Sequence, residues 1–254
     1  MIQFATEKDA DTIANLWQEA FGDDREWVMT YLAENIERVL TYSENDDIFG
    51  MLSLLPVTYE DKKGYYVYGV ATFEKHRLKG VSSKLLDFAQ KMVHDSRADF
   101  LVLVPRNEGL FKFYQERGFF PMTSVKTTTF SKNDFQKVTS CEKPKTATAQ
   151  EYYNIRKSHF DKLIEWDQNS LDKIKKFENG EFYKTENGNG AFCYLYNEKL
   201  YIKELCGDID VAAAVAKLYD CQEIYVTQKC TDDTPSCMTF PAMPDGTFFN
   251  ISID

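Results

Sequence analysis

The sequence predicts an α/β (α+β) protein of two domains, the first built on a mixed central sheet. Three observations carry this. Apolar residues alternate between helical and strand spacing from the start to about residue 130. A polar stretch with a proline, SKNDFQKVTSCEKPKTA, then interrupts the pattern. Beyond it, LYIKELC, DIDVAAAVAKLYD and EIYVTQK repeat the strand–helix–strand outline of YVYGVAT, its following helix and FLVLVP. The expected division is 1–130, a linker at 131–147, and a smaller domain at 148–254 that reads as a degenerate copy of the first.

Taken in order, IQFA is a short strand. Thr6 and Asp9 form a capping-box variant before a helix with Ile13, Leu16, Trp17 and Ala20 on one stripe. Gly22 ends that helix, and Asp23 or Asp24 starts the next, through Val28, Tyr31 and Leu32. RVLTYS and IFGMLSLLPVTYE are strands, with Pro56 assigning part of the second to an edge or bulge. DKKG reads as a turn and YYVYGVAT as the next strand. A basic loop leads into a helix with Val81, Leu85, Ala89 and Met92 on one face. FLVLVP is a continuous apolar run, as expected of a strand buried on both faces. A helix from Asn107 to Arg117 is closed by Gly118, and SVKTTTF is a further strand. The second half opens with the helix EYYNIRKSHF and continues with strands GAFCYLY and KLYIKELC about a turn at Asn197 and Glu198. The run KIKKFENGEFYKTENGNG reads as a solvated helix end and a loop.

Composition narrows the class. Of 254 residues, 43% are hydrophobic and 15% aromatic, enough for a sizeable core. A net charge of -10 argues against a nucleic-acid partner and leans towards a cationic one. The N-terminus lacks a basic start followed by an apolar run, and no stretch is long enough to span a bilayer. A cytoplasmic protein without a membrane partner is expected. Six cysteines include no C-x-x-C pair, and three scattered histidines make poor ligands, so no metal is expected. Oligomeric state is left open.

The stretch HRLKGVSSKLL, residues 76–86, has the parts of an anion cradle. A helix start leaves backbone N–H groups unpaired and carries partial positive charge, which suits phosphates. Gly80 lets backbone approach a ligand, Ser82 and Ser83 bring hydroxyls, and Arg77 and Lys79 bring charge. A dinucleotide fingerprint would need more glycines and a ribose-binding acid. YGVATFEKHRLKGVSSKLLDFA resembles motif A of the GNAT superfamily of N-acetyltransferases: Arg77, Gly80 and Ser82 stand at its Arg/Gln-x-x-Gly-x-Gly/Ala positions, with Ser82 a departure. VPRNEGLFKFYQERGFF resembles motif B through Asn107, Tyr114, Gly118 and Phe119.

The resemblance covers about residues 1–130. It implies a splayed sheet and acetyl-CoA as donor, with an acetyl group passing to a primary amine by direct attack in a ternary complex. Pantetheine would pair with backbone at Val70, Ala71 and Thr72. The pyrophosphate would sit on Arg77, Leu78, Lys79, Gly80, Val81, Ser82 and Ser83, with Asn107 further along the coenzyme. Tyr114 would be the acid that protonates the leaving thiolate. The usual strand carboxylate is missing from YYVYGVAT, which leaves the base open among Glu74, His76, Glu34, Glu204 and water. The chain also resembles the tandem enhanced-intracellular-survival type, whose terminal carboxylate serves as base, and this points to Asp254. In that group the second domain is coenzyme-free. A non-catalytic acyl-CoA-binding or regulatory module is the competing class. The acceptor is an amine of a small molecule or peptide that the sequence does not name.

Overall fold

The computed structural model describes residues 1–136, 143–230 and 235–251. Contacts divide the chain into two compact units: 1–120 with 239–242, and 121–238 with 243–254.

The first unit begins with β1 (Ile2–Phe4), α1 (Ala10–Phe21) and α2 (Arg25–Asn35). The Asp9 carboxylate accepts the Thr6 N–H at 2.8 Å, as the capping box requires. Gly22, at φ +80°, ends α1 in the left-handed conformation that glycine adopts without strain. Asp24 caps α2 through the N–H groups of Glu26 and Trp27. Asp23 instead takes the indole N–H of Trp17 at 2.7 Å.

Strands β2 (Val39–Glu44), β3 (Asp47–Tyr59) and β4 (Lys62–Thr72) follow. Tyr59 pairs with Lys62, so the expected turn at DKKG is tighter and sits on Glu60 and Asp61. Gly64 lies inside β4 because the Phe100 ring covers it, and a β-carbon there would stand 2.6 Å from that ring. β2 pairs with β3 only as far as Ser53, so Pro56 lies beyond the reach of β2 and bears a neighbour only in β4.

Next come α3 (Val81–His94), β5 (Phe100–Leu103), α4 (Glu108–Gln115) and β6 (Phe120–Pro121). All four residues of β5 are buried, as the apolar run implied.

The second unit holds β7 (Ser124–Ser131), α5 (Lys132–Gln136), β8 (Lys145–Thr146), α6 (Ala149–His159), α7 (Gln168–Phe177) and β9 (Glu181–Lys184). It continues with β10 (Gly190–Tyr196), β11 (Lys199–Cys206), α8 (Ile209–Ala216) and β12 (Glu223–Cys230), after which the chain returns to the first sheet as β13 (Met238–Phe240). The strand orders are β1-β2-β3-β4-β5-β13-β6 and β7-β12-β11-β10-β9-β8.

These orders share one plan. In the first half β1 is followed by α1 and α2, in the second β8 is followed by α6 and α7, and in each half a strand–helix–strand unit supplies a parallel pair. The strand–helix–strand outline read twice in the sequence is thus present in both halves.

The expected boundaries need correction. SVKTTTF forms β7, whose eight residues pair with β12 in the second sheet, so the first unit ends near 120 rather than 130. In the first sheet the place beside β5 is taken by β13. The segment expected to be a linker carries α5, whose Phe135 is buried under α8, and β8. Residues 137–142 lie outside the described residues. The charged run expected to be helix end and loop contains the last five residues of α7, a helix end as expected, but also all of β9. Leu171, Ile174 and Phe177 of α7 are buried at i, i+3 and i+6.

Candidate active site

β4 and β5 are parallel partners at three positions, Gly64–Phe100, Tyr65–Leu101 and Tyr66–Val102, and then part. The remainder of β4, from Val67 to Thr72, pairs only with β3 on its other side. The cause lies in β4 itself. The register slips between Met51 and Ser53 of β3, and opposite this slip Gly69 adopts φ +60°. A β-carbon on Gly69 would stand 3.0 Å from the Trp17 ring, so glycine is also what lets α1 approach.

Beyond the bulge, the Phe73 N–H donates to Phe49 of β3. Backbone groups alternate sides along a strand, so those of Thr72 and Val70 face the gap and those of buried Ala71 face Met51. One of the gap-facing groups is engaged: the Thr72 carbonyl accepts from Arg77 Nε at 3.3 Å.

The loop from β4 to α3 turns through two left-handed residues, Leu78 at φ +62° and Gly80 at φ +74°. Leu78 is fully exposed, which is unusual for an apolar residue under backbone strain. No atom lies within 4 Å of a β-carbon placed on Gly80, so the space before the helix is open. Gly80 offers α3 no side-chain cap, and the first intrahelical bond is Lys84 N–H to Gly80. The N–H groups of Val81, Ser82 and Ser83 are thus left at an uncapped, exposed helix start. Ser82 Oγ is 2.9 Å from Thr72 Oγ1, which closes the loop onto the helix. Gly50 of β3 fits beneath: a β-carbon there would lie 2.5 Å from Val81 Cγ1.

Asn107 caps α4, its Oδ1 accepting the Leu110 N–H at 3.0 Å. Tyr114, on the same helix, is buried between Phe113 and Phe119. Burial pushes its phenol up to about 12, against a smaller opposing pull from Arg117.

The candidate bases separate. Glu204 is in the second unit, fully buried and paired to Arg156 at 2.7 Å, where it meets no solvent or cleft. His76 stacks on Phe49 with ring centroids 3.5 Å apart, and desolvation, with Lys79 and Lys75, lowers its pKa. Glu74 is at the loop surface, its N–H held by Glu19. Glu34 is half-buried on α2. Asp254 lies outside the described residues. Sequence reasoning missed Gly69, although a glycine inside a strand is the usual mark of a bulge.

Burial raises the thiols of Cys193 and Cys237 to about 12, so neither is a ready nucleophile. No metal-binding group of His, Cys, Asp and Glu occurs among the described residues. No helix among them is long and apolar enough to cross a membrane. A pocket of about 290 Å³ in the second unit, lined by Lys132, Phe135, Tyr219 and Asp220 among others, contains none of the motif residues.

Comparison with known proteins places this geometry. The chain has no match among curated proteins. Among solved structures it is similar to a GCN5-related N-acetyltransferase from Kribbella flavida, with TM-score 0.71 and 14% identity over 94% of this chain and 71% of that one. It is equally similar in fold to one from Anabaena variabilis, with TM-score 0.71, 10% identity, and 94% and 72% covered. Eis1 from Mycobacterium abscessus matches with TM-score 0.64 and 10% identity over 91% of this chain and 67% of that one. Such identities speak to the fold alone. The family model for an acetyltransferase (GNAT) domain matches residues 1–122, a little under half of the chain.

Proposed function

We propose that the first unit binds acetyl-CoA between β4 and β5 and transfers its acetyl group to a primary amine. The observation that carries this is the parting of the two strands after Tyr66 and Val102, beside the uncapped start of α3. Pantetheine amides would pair with the gap-facing groups of Val70 and Thr72 as an added strand. The pyrophosphate would lie over Gly80, against the N–H groups of Val81, Ser82 and Ser83, with Arg77 and Lys79 adding charge. Asn107 Oδ1 is spent on its helix, which leaves the Asn107 side-chain amide N–H₂ for the coenzyme.

Tyr114 is the acid of this reading. With its phenol raised to about 12, donation to a free thiolate of pKa about 8.5 would be uphill. Desolvation raises a thiolate held in the same buried surroundings in the same direction, which narrows the gap. The attacking amine loses its proton to water or to a carboxylate at the cleft, since β4 carries none.

The second unit is coenzyme-free on this reading. There β11 and β12 also pair at only three positions. The freed edge of β11 is occupied by the chain itself: Asn250 Nδ2 donates to the Lys203 carbonyl at 3.0 Å, and Phe248, Phe249 and Ile251 are buried. The connection to α8 is short, and Asp208 and Asp210 place carboxylates where an anion would have to bind.

Calorimetric titration of the full chain with acetyl-CoA tests the donor site. Micromolar binding, lost in Gly80→Glu, supports it, and thiol release on adding an amine separates the enzyme from a non-catalytic coenzyme-binding module. Absence of binding to the unaltered chain would overturn it.

A further inference from the structure

Rings crowd the side of β4 that faces α1 and α2. Trp17 lies 5.0 Å from Tyr31, 5.5 Å from Tyr68 and 6.0 Å from Trp27 by ring centroids. Trp27 stacks on Tyr31 at 5.8 Å and 8°. Tyr68 stands directly before Gly69, the residue whose bulge opens the gap. Trp17 and Tyr31 are buried, whereas Trp27 and Tyr68 keep part of their surface in solvent. Two ring surfaces are thus held by a buried pair beside the bulge at Gly69.

Charge is distributed unevenly about that place. Residues 7–38 carry nine carboxylates against Lys8, Arg25 and Arg38. Arg25 is already engaged by Asp11, Asn15 and Gln18. The Asp23 carboxylate is pinned among the rings by Trp17 Nε1. The loop before α3 has the opposite sign, with Lys75, Arg77 and Lys79 against Glu74. Glu19 of α1 reaches the Glu74 N–H, so the two regions adjoin. An anionic donor suits the basic side and a cation suits the ringed, acidic side.

Chemistry sharpens this. An amine attacks only as its free base, so the nitrogen that reacts cannot be the cation that the rings and carboxylate hold. From the rings about Tyr68 and Trp27 and the acidic hairpin beside them, we infer that the acceptor is a small amine carrying a second, permanently protonated nitrogen, a diamine or polyamine. The second nitrogen docks at Tyr68, Trp27 and Asp23. The first, deprotonated, forms the new C–N bond as the C–S bond of the thioester breaks, and its remaining extra proton leaves to solvent. This rests on the donor reading above.

The test compares 1,5-diaminopentane with n-pentylamine, which matches it in length and lacks the second charge. With acetyl-CoA saturating, kcat/KM should favour the diamine by at least about thirtyfold. Tyr68→Leu and Trp27→Leu should each cut that ratio by about tenfold, and Tyr68→Phe should keep it. A ratio taken within one protein is unaffected by a folded fraction below one. Equal use of both amines, or a ratio unmoved in both leucine variants, overturns the inference. If neither amine turns over, calorimetry with the diamine decides: binding weakened about tenfold in Tyr68→Leu upholds it, and no binding overturns it. Failure to bind acetyl-CoA would be seen separately and would remove the donor reading instead.

Discussion

Arg117 donates to the Ser83 hydroxyl from two nitrogens, Nε at 3.1 Å and Nη2 at 2.8 Å, and so ties the end of α4 to the first turn of α3. Its Nη1 donates to the Phe113 carbonyl, and the guanidinium lies 3.5 Å over the Phe113 ring. The helix bearing Tyr114 is thereby fixed to the helix start proposed to hold the pyrophosphate. A hydroxyl that accepts from a cation directs its own proton away from it, towards an incoming anion. Arg117→Met should weaken acetyl-CoA binding about tenfold, within the range of a charged hydrogen bond at a half-buried site. Ser83→Ala should weaken it less. Unchanged calorimetric affinity in Arg117→Met would show that this tie positions nothing.

Tyr114→Phe should lower kcat about a hundredfold and leave acetyl-CoA affinity unaltered, as expected when a general acid is lost. The pH profile supplies an independent check. An acid works only while protonated, and burial raises this phenol to about 12. The wild-type rate should therefore rise with pH as the amine loses its proton and show no fall below about pH 10. A falling limb near pH 8 that vanished in Tyr114→Phe would assign the residue a much lower pKa than its burial gives.

Much of the first unit was legible because its signals are local. Capping residues, helical stripes and the buried run FLVLVP each report on their own neighbours, and the glycine–serine loop carries its chemistry in eleven residues. What escaped depends on distant partners. SVKTTTF reads correctly as a strand, yet nothing in it specifies β12 rather than β5 as its neighbour. The three residues of β13 are too few to show a period. EFYK resembles the charged run around it, and its pairing with β10 and β8 makes it a strand. The site divided likewise. The open, uncapped start of α3 was readable from Gly80, whereas the aromatic group at Trp17, Trp27 and Tyr68 is assembled from three elements that the sequence keeps apart.

Gly69 and Gly80 form a matched pair for measuring what the bulge requires. Both adopt positive φ, +60° and +74°, and alanine at either site carries a backbone cost of about 1–2 kcal/mol. Only Gly69 also faces a side chain, with Trp17 at 3.0 and 3.2 Å. Gly69→Ala should lower Tm by several degrees more than Gly80→Ala, since about 1 kcal/mol shifts Tm by roughly 2–4 °C in a chain of this size. It should also weaken acetyl-CoA, because Trp17 can yield only by disturbing Tyr68 and the end of β4. Equal thermal shifts in the two variants would mean that the Trp17 contact relaxes freely.

Glu204 gives the clearest separation of stability from chemistry. It accepts from Arg156 Nε at 2.7 Å and Nη2 at 3.2 Å and from the Tyr152 hydroxyl at 3.2 Å, all buried in the second unit. Arg156 Nη1 has no hydrogen-bond partner among the described residues, so the guanidinium depends on this one carboxylate. Glu204→Gln removes the charge and leaves the cation buried, a change that typically costs about 3–5 kcal/mol. Replacing both by apolar residues, Arg156→Met with Glu204→Leu, should recover much of that loss, because the desolvation of two charges disappears together. Denaturant unfolding followed in the single and double variants measures the difference. Acetyl transfer by the folded fraction should persist in both. If instead the folded Glu204→Gln protein bound acetyl-CoA normally and lost turnover, this carboxylate would have to reach the reacting amine, and its burial against Arg156 would describe only the resting enzyme.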